Sequence, residues 1–315
     1  MKGKIIRPAS HDEWLKQREL GIGSSEVATI LGLNPWDTPY MLWRRKKGLD
    51  APKPQNFAMK AGHYLEDAVS RFYSDESGRE IIKRSAGDWL IVDKDASYLR
   101  VSPDRLFWAD ATAKRNEDNK GILECKTTQM GVDADNIPMH WFCQLQYQLH
   151  VAGYNEGALA WLVSGREFGY KNIMHDEEFC EYLTDQIREF WERYIIGTEE
   201  PPAYNVDDVI VKYAKHTDGK FITASADVIA ATVRLKDINA QLNALKKEKD
   251  EMEASIKMAI SDAEGLVDDT GKTIATWKAA KESQTFDTKR FSIEHPEEYA
   301  EYVVTKAGSR RFLLK

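Results

Sequence analysis

An acidic side chain inside an apolar strand is costly to bury, so where one occurs it restricts everything packed around it. The stretch Tyr98–Thr128 holds two such residues. It reads as a hairpin, with a first strand around Leu99–Val101 and Leu106–Trp108, a polar loop over Ala111–Lys120, and a second strand at Ile122–Thr127. Asp104 follows Pro103 at a break in the first strand, and Glu124 lies within the second. Alternate side chains of a strand share a face, so Glu124 and Lys126 project together while Cys125 faces the other way. A surface ion pair accounts for an isolated E-x-K triplet. Here the flanking Ile122 and Leu123 imply burial, and buried charges need partners or a metal ion. Two carboxylates and an ammonium brought together by strand pairing can hold a divalent cation and set a charge beside the water it activates.

The surrounding chain is long enough for such a site to be enclosed. Its 315 residues, 42% hydrophobic and 30% charged, suit one large domain or two. The N-terminus lacks the apolar run of a signal peptide and no stretch reads as a membrane span, which points to the cytoplasm. Cys125, Cys143 and Cys180 have neither CxxC nor CxxH spacing, so the sequence predicts no disulfide framework and no zinc or iron–sulfur site. The net charge of −7 argues against nonspecific coating of DNA, but it does not exclude one basic channel, because clefts focus local fields.

Upstream of the hairpin, His11–Arg18 reads as a helix broken by Gly21-Ile22-Gly23, with Ser24 or Ser25 as the cap of a second helix over Glu26–Leu31. Arg18 and these serines make either a phosphate seat or a plain helix cap with a solvated arginine. A third helix is expected over Thr38–Lys47. Residues 57–74 have helical periodicity, with Leu65, Val69 and Phe72 as the apolar stripe and Glu66 beside it, either snorkelling or serving as a ligand. Arg79–Arg84 and Trp89–Val92 read as strands around a turn at Ser85–Asp88, pairing with the hairpin as a meander.

Downstream, Met139–Gly153 is a helix with Trp141, Leu145, Leu149 and Ala152 as its buried stripe and Gln144, Tyr147 and Gln148 as a neighbouring polar one that can reach the site. Strands follow at Ala158–Ser164 and Tyr170–Met174, then an amphipathic helix over Asp176–Ile196. The order predicts an α/β core, a mixed central sheet flanked by helices, over residues 1–203. Residues 204–315 form an extension of a different character. Within it, Val228, Ala231, Leu235, Ile238, Leu242, Leu245, Met252 and Ile256 keep heptad spacing, interrupted at Lys249, as in a long helix or short coiled coil. Short strands flank a turn at Asp269–Lys272, and a small β-rich tail follows. The tail interleaves Lys289, Arg290, Lys306, Arg310, Arg311 and Lys315 with Phe286, Phe291, Tyr299, Tyr302 and Phe312, as a DNA contact or a solvated cap.

Pro103-Asp104 followed by Glu124-Cys125-Lys126 matches the PD-(D/E)xK nuclease signature. With Arg18 to Glu26 (RELGIGSSE), Gly62 to Glu66 (GHYLE), Ser102 to Lys126 and Gln144 to Tyr147 (QLQY), the chain resembles the phage lambda-type exonuclease family, also called the YqaJ-type viral recombinases, over about residues 10–200. The resemblance implies a restriction-endonuclease-like core. It implies that Glu66, Asp104 and Glu124, with the backbone carbonyl of Cys125, bind two Mg²⁺ ions, with Mn²⁺ as the alternative. By the same resemblance Lys126 orients or activates the attacking water, Arg18, Ser25 and Ser102 hold the 5′-phosphate of a DNA end, and Gln144 and Tyr147 support the site. The family digests one strand of linear duplex DNA from 5′ to 3′, leaving a 3′ single strand for an annealing protein. Its members form rings, usually trimers, with a tetramer as the alternative here. The setting is then recombination of a phage or prophage in the cytoplasm of a bacterial host. No four-cysteine cluster of the related iron–sulfur nucleases is present. An endonuclease with the same chemistry and a non-catalytic DNA-end-binding scaffold are the competing readings.

Overall fold

The computed structural model describes residues 3–52, 54–82, 89–110, 112–305 and 308–314. The chain separates into two units, Met1–Lys212 and Tyr213–Lys315. The first unit therefore runs past residue 203, because a short helix that follows the Pro201-Pro202 turn still belongs to it.

In chain order the first unit begins with β1 (Lys4–Ile6), α1 (His11–Glu19), α2 (Ser24–Ile30), α3 (Pro39–Lys46) and α4 (Phe57–Ser77). The strands β2 (Ile81–Ile82), β3 (Leu90–Val92), β4 (Arg100–Val101), β5 (Arg105–Trp108) and β6 (Lys120–Thr128) follow. Then come α5 (Met139–Ala152), β7 (Glu156–Val163), β8 (Glu167–Met174), α6 (Glu177–Phe190) and α7 (Val206–Lys212). The expected turn at Ser85–Asp88, and Ala111 in the polar loop, lie outside the described residues.

The main sheet has the order β2-β5-β6-β7-β8. Only β6 and β7 run parallel, and α5 is the crossover between them; every other pair is antiparallel. The sheet is thus mixed, with helices on both faces. Period-two alternation divides β6 between two cores. Ile122 joins Leu145, Leu149, Leu159 and Trp161 on the α5 side, whereas Leu123 and Cys125 join Val69, Tyr73 and Phe107 on the α4 side. On α4 the buried positions are Val69, Ser70 and Tyr73, while Leu65 and Phe72 are exposed. The buried stripe is rotated by one residue from the expected one because Tyr73 packs between Phe107 and Tyr170 in the α4-side core, whereas Phe72 lies at its edge against Phe168.

Both expected strands pair with the hairpin's first strand, but in two sheets instead of one meander: β3 pairs with β4, and on its other side with β1, in a separate three-stranded antiparallel sheet, while β2 pairs with β5 in the main sheet. The chain changes sheets at Ser102-Pro103-Asp104. Proline has no N–H to give to a ladder, so the strand must break there. That break carries Asp104 to the edge where the two sheets part. β3 is apolar and buried throughout, so its own pattern holds no information about its partner.

α6 passes directly into a π-helical turn, Trp191–Ile196, whose carbonyls are used by α3: the Trp43 indole donates to Tyr194 O at 3.0 Å and Lys47 Nζ to Ile195 O at 3.0 Å. α7 is held by Asp208, fully buried, which accepts from the Thr38 hydroxyl at 2.7 Å.

The second unit consists of α8 (Ala226–Ile260), the hairpin β9 (Gly265–Val267) and β10 (Thr273–Thr276), α9 (Thr288–Glu294) and α10 (Pro296–Glu301). The heptad stretch is therefore one continuous helix. The tail departs from the β-rich expectation: Asp287 caps α9 by accepting from Arg290 N at 2.9 Å, and Pro296 opens α10. Lys306 and Lys315 lie outside the described residues.

The hairpin that frames the site leaves no spare volume. Gly121 pairs with Phe107, and a Cβ at Gly121 would stand 2.3 Å from the Phe107 ring. Phe107 is fully buried and cannot withdraw. Gly121→Ala is expected to cost about 1–3 kcal/mol through overpacking, read as a lowered denaturation midpoint of the first unit with an unchanged slope.

Candidate active site

Asp104 enters the site from the sheet-switching break. The β5–β6 ladder ends at Arg105 opposite Leu123, so the next N–H along β6 is free to bond a side chain. Asp104 Oδ2 accepts it, from Cys125 N, at 2.8 Å. This bond fixes the carboxyl against the middle of β6, one residue from Glu124.

Glu124 is 3% exposed, and both its oxygens are bonded. Oε1 accepts from Lys126 Nζ at 2.7 Å and from Gln144 Nε2 at 2.5 Å; Oε2 accepts from Gln148 Nε2 at 2.8 Å. Gln144 Oε1 also accepts from Lys126 Nζ at 2.7 Å, which closes a three-membered ring of bonds among Glu124, Lys126 and Gln144. Helical spacing explains the two glutamines, since residues four apart on α5 lie one above the other and face the same strand. Glu66, half-buried on α4, completes the acidic set. Its Oε1 lies 2.7 Å from His63 Nδ1, and its Oε2 lies 3.9 Å from the Arg105 guanidinium.

The carboxylates feel one another. Burial, and then the charges of Glu124 and Glu66, push the Asp104 carboxyl well above its usual range; Lys126 and the Cys125 N–H only partly offset this. Burial opposes the charge on Lys126, but Glu124 and Asp104 outweigh it, so its pKa is raised and the side chain stays an ammonium. Three carboxylates around one ammonium leave a buried excess of negative charge. Such a set of hard oxygen donors fits divalent cations of the Mg²⁺ type. Glu66, Asp104, Glu124 and the Cys125 carbonyl are the groups present to hold them. The Cys125 thiol itself points into the opposite core, where burial raises its pKa.

Beside the carboxylates opens a cavity of about 170 Å³, lined by Arg18, Ser25, Ser102, Glu66, Asp104 and Gln144 among others. The Arg18 guanidinium lies 4.6 Å over the Trp14 ring and, among the described residues, pairs with no carboxylate. Ser25 is exposed at its rim. The Ser102 hydroxyl donates to Trp89 O at 2.6 Å and keeps its lone pairs free to accept. The α2 cap is Gly23, with Ser24 and Ser25 inside the first turn; Glu26 Oε2 satisfies the Gly23 N–H at 2.8 Å. Lys46 in turn bonds Glu26 Oε2 at 2.8 Å and Gly21 O at 2.6 Å.

That loop is pressed against the second sheet. Ile22 N donates to Tyr98 O at 2.7 Å, and a Cβ at Gly21 would stand 2.2 Å from the same oxygen, so the approach requires glycine. Tyr147 lies under this contact and does not touch the carboxylates. Fully buried, it donates to Ile22 O at 2.9 Å and accepts from Arg100 N at 3.1 Å. It supports the loop that carries the serines, whereas Gln148 joins Gln144 in reaching Glu124 from α5. Gln148 stood on the polar stripe expected to reach the site but had no role assigned there, and His63 and Trp14 were not expected site residues. Their signals are spacings: Gln148 is four residues after Gln144, and His63 is three before Glu66.

Residues 13–155 match the profile of the YqaJ-like viral recombinase domain. The YqaJ protein of Bacillus subtilis strain 168 is 30% identical over 97% of this chain and 94% of its own length. A protein of Acanthamoeba polyphaga mimivirus is 25% identical over 46% of this chain and 27% of its own. Among solved structures, the alkaline exonuclease LHK-Exo from Laribacter hongkongensis aligns with a TM-score of 0.43 at 16% identity, over 58% of this chain and 92% of its own. A phage-related exonuclease from Haemophilus somnus aligns with a TM-score of 0.41 at 10% identity, over 56% and 94%.

The excess charge has a consequence for stability. In the absence of divalent cations, Asp104→Asn removes one repelling carboxylate and keeps an oxygen for the Cys125 N–H. Its thermal midpoint at neutral pH is expected to exceed that of the parent, measured by calorimetry in a chelator.

Proposed function

The chain belongs to the YqaJ-like viral recombinase family, and on that premise we propose that it is a Mg²⁺-dependent deoxyribonuclease that digests one strand of linear duplex DNA from its 5′ end. The observation that carries this reading is the shared cavity: Glu66 and Asp104 line it together with Arg18, Ser25 and Ser102. A phosphate seated on Arg18 sets the register, so that the next phosphodiester along the strand meets the carboxylates. Polarity then follows from where the end is anchored.

Hydrolysis joins a water oxygen to phosphorus while the bond from phosphorus to the leaving deoxyribose oxygen breaks; that oxygen takes up a proton. Two Mg²⁺ ions held by Glu66, Asp104, Glu124 and the Cys125 carbonyl would supply charge relief and a more acidic water. Lys126, locked between Glu124 and Gln144, cannot swing away. Its ammonium is fixed where it orients the water and offsets charge gathering on the phosphate. Gln144 and Gln148 hold the Glu124 carboxylate in one rotamer and leave its orientation independent of substrate.

The products are a recessed 5′ strand and a 3′ single strand, the form an annealing protein requires. A homotrimeric ring around the duplex, with a tetramer as the alternative, reconciles the −7 net charge with DNA binding, since only the channel must be positive. Mn²⁺ is the expected substitute ion, and the bacterial cytoplasm the expected location. Among the described residues, no helix is long and apolar enough to cross a membrane.

The deciding experiment offers three substrates with Mg²⁺: linear duplex with a 5′-phosphate, the same with a 5′-hydroxyl, and closed circular plasmid, with the two ends distinctly labelled. Loss of the 5′ label from phosphorylated linear DNA, with the circle intact, is expected. Cleavage of the circle would replace the exonuclease with an endonuclease, and no cleavage with either ion would leave an end-binding scaffold. Lys126→Ala is expected to lose at least about 100-fold in cleavage rate while retaining DNA affinity, the scale of a positioned proton-transfer or charge-stabilising group. Arg18→Ala is expected to slow digestion of 5′-phosphorylated ends while sparing 5′-hydroxyl ends, read from the ratio of the two rates.

A further inference from the structure

α5 leaves the catalytic cleft through Gln148, and two residues later it presents His150 to a second cluster of metal-binding atoms. His150, His175 and Cys180 bring one ligand atom each within 4.8 Å of one another. They come from three places: the end of α5, the link between β8 and α6, and the first turns of α6. His150 Nδ1 and His175 Nε2 are 3.3 Å apart, with the two rings stacked at 27°. Two nitrogens bound at about 2.0–2.1 Å in a tetrahedral site also lie about 3.3 Å apart. Cys180 is fully buried, and its Sγ requires a closing movement of at most roughly 1.3 Å to reach the spacing of a tetrahedral thiolate.

We propose that His150 Nδ1, His175 Nε2 and Cys180 Sγ hold one Zn²⁺ ion that ties α5 to α6, with water in the fourth position. Two imidazoles and a thiolate are borderline-to-soft donors, suited to Zn²⁺ and unsuited to Mg²⁺. On binding, the Cys180 thiol proton passes to solvent and both imidazoles turn lone pairs to the ion.

The surroundings already hold the ligands in place. Glu177 Oε2 lies 3.5 Å from His175 Nδ1, the ring atom that faces away from the ion, and a carboxylate there fixes the tautomer that frees Nε2. Gln146, fully buried, donates from Nε2 to Met174 O at 2.8 Å and accepts from Asp176 N through Oε1 at 2.9 Å. These bonds clamp the segment that carries His175. His175 N also donates to Asn155 O at 2.9 Å. None of these residues enters the cleft, so the proposal does not depend on the nuclease reading. The spacing that excluded a zinc site in the sequence tests only ligands close together in the chain, and His150 and His175 are 25 residues apart.

The test uses the full chain stripped with chelator, titrated with Zn²⁺ alone by calorimetry and with Co²⁺ as the spectroscopic probe. One equivalent of Zn²⁺ that Cys180→Ala does not bind is expected, over and above any taken by the carboxylate cleft, and Co²⁺ should give tetrahedral visible bands with a thiolate charge-transfer band in the near ultraviolet. Cys180→Ala should abolish that band, whereas Cys143→Ala and Asp104→Asn should keep it, the latter separating this site from the carboxylate cleft. His175→Ala, at a half-buried position that should not disturb folding, is expected to weaken Zn²⁺ binding at least 10-fold and to lose the rise in thermal midpoint that Zn²⁺ gives the parent. Absence of a thiolate band in the parent, its persistence in Cys180→Ala, or an unchanged Zn²⁺ response in folded His175→Ala would each overturn the proposal.

Discussion

A glutamate 3% exposed at the centre of a sheet governs the rest of the first unit. Left unpaired in such a place, a carboxylate would take up a proton or unfold its surroundings. Glu124 avoids both because Lys126, Gln144 and Gln148 satisfy its two oxygens. These partners dictate the architecture around it. Lys126 must share its face of β6, and α5 must cross that face with two glutamines one turn apart. The parallel β6–α5–β7 crossover is the arrangement that brings the helix back over its own strand.

Asp104 depends on a second constraint, the break at Pro103. A continuous strand would have placed Asp104 within a ladder. The change of sheet instead frees its carboxyl to meet the Cys125 N–H, and opens the cavity that Arg18 and the α2 serines line. Beside that opening Tyr147 secures the contact between the α2 loop and β4, bonding Ile22 O and Arg100 N, which also bond each other at 3.2 Å. One face of α5 thus serves the charge at Glu124, and another serves the loop beside it.

The second unit follows a different logic. Val228, Leu242, Leu245 and Met252 repeat along α8 at heptad spacing, yet all are exposed. Charged pairs such as Lys249–Glu253 and Lys257–Glu253 support the helix along its length. Each exposed pair contributes little, so helical propensity and the Ser225 cap share in holding its conformation.

Local pattern was sufficient for most elements. The alternation of Ile122–Thr127 placed Glu124 opposite Cys125, the periodicity of Met139–Gly153 put Trp141, Leu145 and Leu149 inward, and the heptads over Val228–Ile256 specified a helix, because each property depends on neighbours within a turn or a strand. Residue types and their order also marked Glu66, Asp104, Glu124, Lys126, Arg18, Ser25 and Ser102 before any contact was known. What the chain could not announce was who pairs with whom. β3 is apolar on both faces, so nothing in it announces that β1 takes its second edge or that β4 and β5 part into two sheets. Phe72 and Tyr73 both fit an apolar helix stripe, and only the rings of Phe107 and Tyr170 across the core decide for Tyr73. Tyr147 and Gln148 are adjacent in sequence, but a single step of the α5 helix sends one to the loop and the other to Glu124. His150, His175 and Cys180 meet only after three elements have packed. Periodicity is a property of one element, whereas pairing and the meeting of distant side chains depend on the packing of several.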